Sequence, residues 1–142
     1  MYITDAIQLR VIVLESVAGI PGMIGAQHRH FRSLHTLERD YGWIHTVLEE
    51  AENERMHLLT FLQMFDPGWG VRMLVTTAQF VVAIPYILLY ITEPKAAHRF
   101  VGYLEETAVH TYCDVIKKMQ TPGTNLYQWN DKEVPQIAKV CV

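Results

Sequence analysis

Hydrophobic and polar positions divide the chain into four long stretches of helical period, separated by turn residues. The first runs from Thr4 to about Arg39, with Thr4 or Asp5 available to cap it. Between Val11 and Ile20 its polar side chains are Glu15 and Ser16. A helix that is apolar on every side is a buried one, so Glu15 is expected inside. Gly19, Pro21, Gly22 and Gly25 either kink this helix or end it; because the helical pattern resumes from Met23 to Leu37, a kink is the expectation. After a turn near Asp40-Tyr41-Gly42, a second helix runs from about Trp43 to Phe65 and stops at Asp66-Pro67-Gly68. The third runs from Val71 to about Thr92, ended by Glu93-Pro94, and the fourth from about Ala96 to Gln120, ended by Thr121-Pro122-Gly123. The remainder holds turn residues and then a mostly apolar stretch over residues 134–142, with no period to say where it docks. The expectation is an all-α chain forming a single domain over residues 1–142.

Burying an unpaired carboxylate is costly. Glu15 must therefore be paired, protonated or bound to a metal, and one ion pair with an arginine of another helix would suffice. On the second helix Trp43, Val47, Glu50, Glu54, His57, Leu58, Phe61 and Phe65 share one stripe, which puts Glu54 and His57 in an apolar row. Glu49 and Glu52 fall on the other side, and Glu50 is ambiguous. Residues three apart on a helix lie on nearly one face, so Glu54 and His57 can reach a single metal ion. Glu-x-x-His is the ligand motif of di-iron and di-manganese carboxylate bundles, although in isolation it also fits a solvated acidic face. On the fourth helix the inward stripe reads Val101, Glu105, Ala108, Tyr112, Val115, while Tyr103, Glu106, His110, Asp114 and Lys117 are polar and opposite. Periodicity thus selects Glu105 over Glu106 and aligns Tyr112 with it. Oxygen and imidazole donors of this kind suit iron or manganese. A symmetric di-metal bundle takes Glu from two helices and Glu-x-x-His from two more. Here the second Glu-x-x-His is missing.

Composition sharpens part of this picture. Half of the 142 residues are hydrophobic and only 19% are charged, below the quarter or so usual for soluble domains. That fits a large core or a membrane-facing surface. The third helix carries twelve continuous uncharged residues from Phe80 to Ile91, fewer than the roughly 20 a bilayer span needs. A helix lying in the membrane interface, or one packed in the core, suits it better than a span, and Tyr86 and Tyr90 are the amphipathic aromatics an interface favours. A net charge of −3 leaves no electrostatic footprint for nucleic acid. His28, His30 and His35 lie with Arg29, Arg32 and Arg39 near the end of the first helix, where cations suit the helix dipole, and read as a solvated or interface face. Cys113 and Cys141 lack metal or redox spacing and fit buried or idle thiols in a reducing compartment better than a disulfide framework. Neither a signal peptide nor transit-peptide composition is expected.

Three stretches carry a resemblance. Leu14-Glu15-Ser16-Val17-Ala18, Asn53-Glu54-Arg55-Met56-His57-Leu58 and Leu104-Glu105-Glu106-Thr107-Ala108 resemble the successive signature motifs of the alternative oxidases, and Gly42-Trp43-Ile44-His45-Thr46 precedes the second as it does there. The likeness implies a ferritin-like di-iron carboxylate bundle with a membrane-surface helix, here lacking the last ligand helix. It implies a homodimer on the mitochondrial inner membrane that oxidises ubiquinol and reduces O2 to water without pumping protons. Carried over residue by residue, Glu15, Glu54 and Glu105 resemble iron ligands, with His57 as ligand or hydrogen-bond partner and Tyr112 as the redox-active tyrosine. Arg10, Leu14, Ala108 and Thr111 match a quinol pocket; His30, Leu34, Arg55, Leu58 and Gln79 match a dimer interface. Departures are present too. The family pattern closes with Arg-Ala-Asp-Glu-x-x-His, which is not in this chain, and the first membrane helix and targeting peptide are also missing, so truncation at both ends is expected. Thr107 stands where an acid is usual, and His35 where an arginine is. The competing readings are a non-catalytic fragment that cannot hold two irons and a ferritin-like iron-storage protein.

Overall fold

The first helix does not break at Pro21. In the computed structural model, which describes residues 2–139, α1 runs unbroken from Tyr2 to Thr36 with Pro21 inside it. A mid-helix proline forgoes a backbone hydrogen bond at about 3 kcal/mol. Pro21 is buried together with Gly22, Gly25 and Ala26, so dense packing offsets that loss. The helix already includes Thr4 and Asp5, so neither caps it, and it stops before Arg39 because Leu37 takes a left-handed backbone, φ 56°. No right-handed helix continues through that conformation.

Helix α2 spans Trp43–Phe65, α3 Trp69–Thr92 and α4 Pro94–Gln120. Helices α3 and α4 begin slightly earlier than the apolar pattern suggests; Pro94 opens α4, where its missing N–H is no loss. Asp40 organises the turn between α1 and α2. Its carboxylate accepts the Ile44 amide at 2.6 Å, tying down the start of α2, and pairs with Arg29 of α1 at 2.7 Å. Two short 3-10 helices, Tyr127–Asp131 and Gln136–Lys139, follow α4, and the described residues contain no strand.

Glycine lets α1 meet its neighbours closely. A Cβ on Gly22 would stand 2.6 Å from the Val47 carbonyl oxygen and 3.0 Å from the Ala51 amide of α2. One turn later Gly25 faces the Tyr90 ring of α3. Tyr86 and Tyr90 pack with Ala97 as the core joining α1, α3 and the start of α4. The sequence reads these two tyrosines as interfacial; the structure buries both. A buried phenol needs a partner, and both have one: Tyr86 donates to the Ala97 carbonyl at 3.4 Å, and the Tyr90 hydroxyl lies 3.0 Å from His98 Nε2. Trp43, read as part of the buried stripe of α2, is half-exposed, because it sits at the open end of the helix beside Arg29.

Helix α4 is held at its ends. Its buried residues are Ala97 and Val115. Val115 packs with Leu126 and Trp129, against Ile7, Met64 and Phe65. The segment after α4, which periodicity cannot place, thus docks through Trp129, 4.9 Å from the Phe65 ring. Residues 140–142, including Cys141, lie outside the described residues; Cys113 is exposed on α4.

Helix α3 is long and apolar enough to cross a membrane. It buries Val75, Tyr86 and Tyr90, yet leaves Phe80, Val81, Ile84, Leu88 and Ile91 exposed. One face of it thus packs in the core while the other stays apolar and exposed. Helix α1 passes the same length and composition test, but much more of its apolar stretch is covered by the bundle.

Candidate metal centre

The apolar run of α1 carries Glu15 inward, and the seam with α2 delivers Glu54 to it. A Cβ on Gly19, one turn beyond Glu15, would lie 3.5 Å from Glu54 Cβ, which measures how near the two helices pass. Glu15 is 5% exposed and Glu54 9%. His57, one turn after Glu54, leans over the pair from the rim, its side chain 49% exposed. Its Nδ1 lies 3.4 Å from Glu15 Oε2 and 3.6 Å from Glu54 Oε2. One ligand atom from each of the three falls within 4.8 Å of the others.

A fourth side chain closes the site. Tyr112 of α4 donates its hydroxyl to Glu15 Oε1, and its ring stacks 6.4 Å from Phe61 of α2. Glu15 Oε2, by contrast, is buried and accepts no hydrogen bond. Buried acceptors are almost always satisfied, and this one lies beside Glu54 and His57, a donor set that would suit a cation. Two carboxylates and an imidazole are the donors that iron and manganese favour. The residues fit one such ion.

The electrostatics follow from the same crowding. Burial pushes the Glu15 carboxyl up, but contacts with His57, Tyr112 and Glu54 outweigh it, and the net shift is downward. His57 rises from 6.5 to about 10, first through its contact with Glu15 and then through Glu54. Tyr112 is raised well above an ordinary phenol, by burial and then by Glu15. In the metal-free protein a proton on His57 therefore does part of what a metal ion would do, neutralising the two acids. Because the folded pKa lies above the unfolded one, His57 stabilises the fold fully below about pH 6.5 and loses that contribution as pH rises towards about 10. Urea unfolding of the metal-free protein should show stability falling across that window, and His57→Gln should flatten the fall; an unchanged slope in the variant would refute the assignment.

Glu105 departs from its expected position. The fourth-helix stripe predicts it buried beside Tyr112; the structure leaves it exposed. Helix α4 is anchored at Ala97 and Val115, and the stretch between them has little cover. The rest of the stripe follows the pattern, with Val101, Ala108 and Tyr112 half-buried and Val115 buried. Glu105 nevertheless feels the cluster: its carboxyl is raised by partial burial and then by Glu54, Glu50 and Glu15. Glu50, ambiguous in the sequence, is half-buried one turn before Glu54 and is raised by burial and by Glu54.

The family model for alternative oxidase matches residues 2–140. The chain belongs to the alternative oxidase family. It is 54% identical to the mitochondrial alternative oxidases of Emericella nidulans and Aspergillus niger, in each case over 91% of this chain and 36% of the relative. To that of Cryptococcus neoformans it is 52% identical, over 91% of this chain and 32% of the relative. The chain thus spans about a third of the length of these curated relatives.

The residues that the alternative oxidase likeness assigns elsewhere fall into two groups. Arg10 and Leu14 are exposed on α1, and Ala108 and Thr111 half-buried on α4, near the Glu15–Tyr112 bond that ties these helices. His30 and Leu34 are exposed on α1. Arg55, Leu58 and Gln79, from α2 and α3, line a groove of about 830 Å3 whose floor reaches Glu15 and Ser16. Ser16, which the sequence does not single out beyond its polarity, is buried, its hydroxyl turned back onto the Val13 carbonyl at 2.7 Å.

Proposed function

We propose that this chain carries the metal centre of a ubiquinol oxidase working at the surface of the mitochondrial inner membrane. The observation that supports it most is the meeting of Glu15, Glu54 and His57 across α1 and α2, with Tyr112 of α4 bonded to Glu15. Glu15, Glu54 and His57 would hold iron, and Glu105, already in the field of the cluster, would join from α4. Completed by further ligands in the full-length protein, a di-iron centre would supply the redox chemistry that passes electrons from ubiquinol to O2.

The chain's own side chains do the rest. The buried carboxylates offer a negatively charged socket that favours a cation. Tyr112 holds a proton against Glu15 and is the nearest phenol to the metal ligands, as an electron and proton donor must be. Arg10, Leu14, Ala108 and Thr111 would receive the quinol along the seam of α1 and α4, with its head group towards Tyr112. Oxidation of ubiquinol to ubiquinone releases electrons and protons in equal number, and O2 takes up both to leave as water. The exposed apolar side chains of α3 would rest in the lipid, since a continuous exposed patch of this kind marks a membrane or partner surface. A second copy of the chain would cover His30, Leu34 and the groove at Arg55, Leu58 and Gln79.

The test is quinol-dependent, cyanide-resistant O2 uptake by the full-length protein that contains this chain. Glu54→Ala should abolish it; activity intact in that variant would overturn the assignment. A second reading, a module that holds one ion and does not turn over, is favoured by the exposure of Glu105.

A further inference from the structure

The groove of about 830 Å3 that reaches Glu15 is lined by residues of α1, α2 and α3 and, among the described residues, by none of α4. Tyr112, which bonds Glu15, stands on α4, as does one side of the seam assigned to the quinol. The groove thus comes to the metal ligands from a different side of α1. Its walls are Ile20 and Met23 of α1, Leu48 and Ala51 of α2, and Phe80 and Ala83 of α3. Phe80 belongs to the exposed apolar face of α3. The groove therefore joins the buried Glu15 to the surface that would rest in the lipid.

The polar side chains on its walls are mostly committed elsewhere. Arg55 donates twice to Glu52, at 2.5 and 3.1 Å, and Ser16 donates to the Val13 carbonyl. Gln79 has no hydrogen bond among the described residues. A quinol head group is oriented by several placed polar groups, and one amide is a poor set. A small apolar guest needs none: apolar cavities stay dry and take up guests such as xenon.

We propose that this groove is the path by which O2 passes from the membrane to the metal centre, apart from the path of the quinol. The inference rests on the oxidase reading and on α3 facing lipid, and adds to them the route of the second substrate. O2 is uncharged, non-polar and several-fold more soluble in hydrocarbon than in water, so an entrance on the lipid side draws on the richer supply. A second copy laid over Arg55 and Leu58 would screen the groove from water and leave lipid as its source. Separate entrances also keep the two substrates from obstructing one another.

Xenon, an apolar gas, probes the path without iron. Xenon NMR on the metal-free chain should show an occupied site that is lost in Met23→Trp and in Ala83→Phe, whose added rings fill the groove. Met73→Trp is the control: Met73 is 47% exposed against 48% for Met23 but does not line the groove, and xenon binding should be unchanged. In the full-length protein that contains this chain, both groove variants should lower kcat/KM for O2 several-fold. Turnover at saturating O2 and kcat/KM for ubiquinol should stay as they were. Should either variant fail to fold by circular dichroism, the other carries the test, with the smaller Ala83→Leu beside it. A parallel fall in both specificity constants would assign the groove to the quinol and overturn the proposal. So would an unchanged kcat/KM for O2 in variants that exclude xenon. Absence of xenon from the wild-type groove would reject the gas path and leave the oxidase reading intact; absence of quinol-dependent O2 uptake by the wild type would remove both.

Discussion

Replacing Glu15 by alanine is expected to abolish ferrous-ion binding in an anaerobic calorimetric titration. Glu15 is the member of the cluster that touches all the others: His57 at 3.4 Å, Tyr112 through its hydroxyl, and Glu54 across the seam. Loss of an outer partner of a metal ligand costs about 10–100-fold in affinity; loss of a ligand itself should exceed that. The same variant removes the first cause of the raised His57 pKa, so the imidazole should titrate closer to its ordinary range by NMR. Tight binding that survives, or a His57 titration that does not move, would mean that the acids are held together by something other than a cation.

Gly22→Ala should produce the second large effect, by forcing α1 and α2 apart. The added methyl would meet the Val47 carbonyl oxygen at 2.6 Å and the Ala51 amide at 3.0 Å, both backbone atoms that cannot rotate away. Overpacking of this kind costs about 1–3 kcal/mol, against a gain of roughly 0.5–1 kcal/mol from exchanging glycine for alanine in a helix. The cost should win, lowering the thermal midpoint by several degrees and weakening metal binding, because the same seam sets Glu15 beside Glu54. Gly102→Ala is the matched control. Nothing lies within 4 Å of its Cβ position, so only the helical gain remains and the midpoint should rise. If both variants shifted the midpoint alike, close contact at Gly22 would not be what seats the two helices.

Much of the site was legible because helical period and burial cost act locally. Glu15 could be placed inward from its apolar neighbours alone, and the Val47–Glu54 stripe placed the second acid. Glu105 defeated the same reasoning. A stripe says which face of a helix is apolar, but not whether anything covers each turn of it, and α4 is covered only near Ala97 and Val115. Tyr86 and Tyr90 defeated it in the other direction. Their ring chemistry suits an interface, yet the room left by Gly25 and the hydrogen-bond partners offered by Ala97 and His98 draw them inside. The end of α1 was misplaced because a left-handed leucine has no signature in sequence pattern. Trp129 was unreadable for a related reason: a 3-10 turn carries no period long enough to show which neighbour it will find.

Metal content measured by elemental analysis, after anaerobic loading with ferrous ion and removal of excess, tests the account most directly. The three donors that converge from α1 and α2 predict one iron per chain. No retained iron would show that Glu15, Glu54 and His57 meet for some other reason, and two tightly held irons would show that this chain completes the centre without ligands from the rest of the protein.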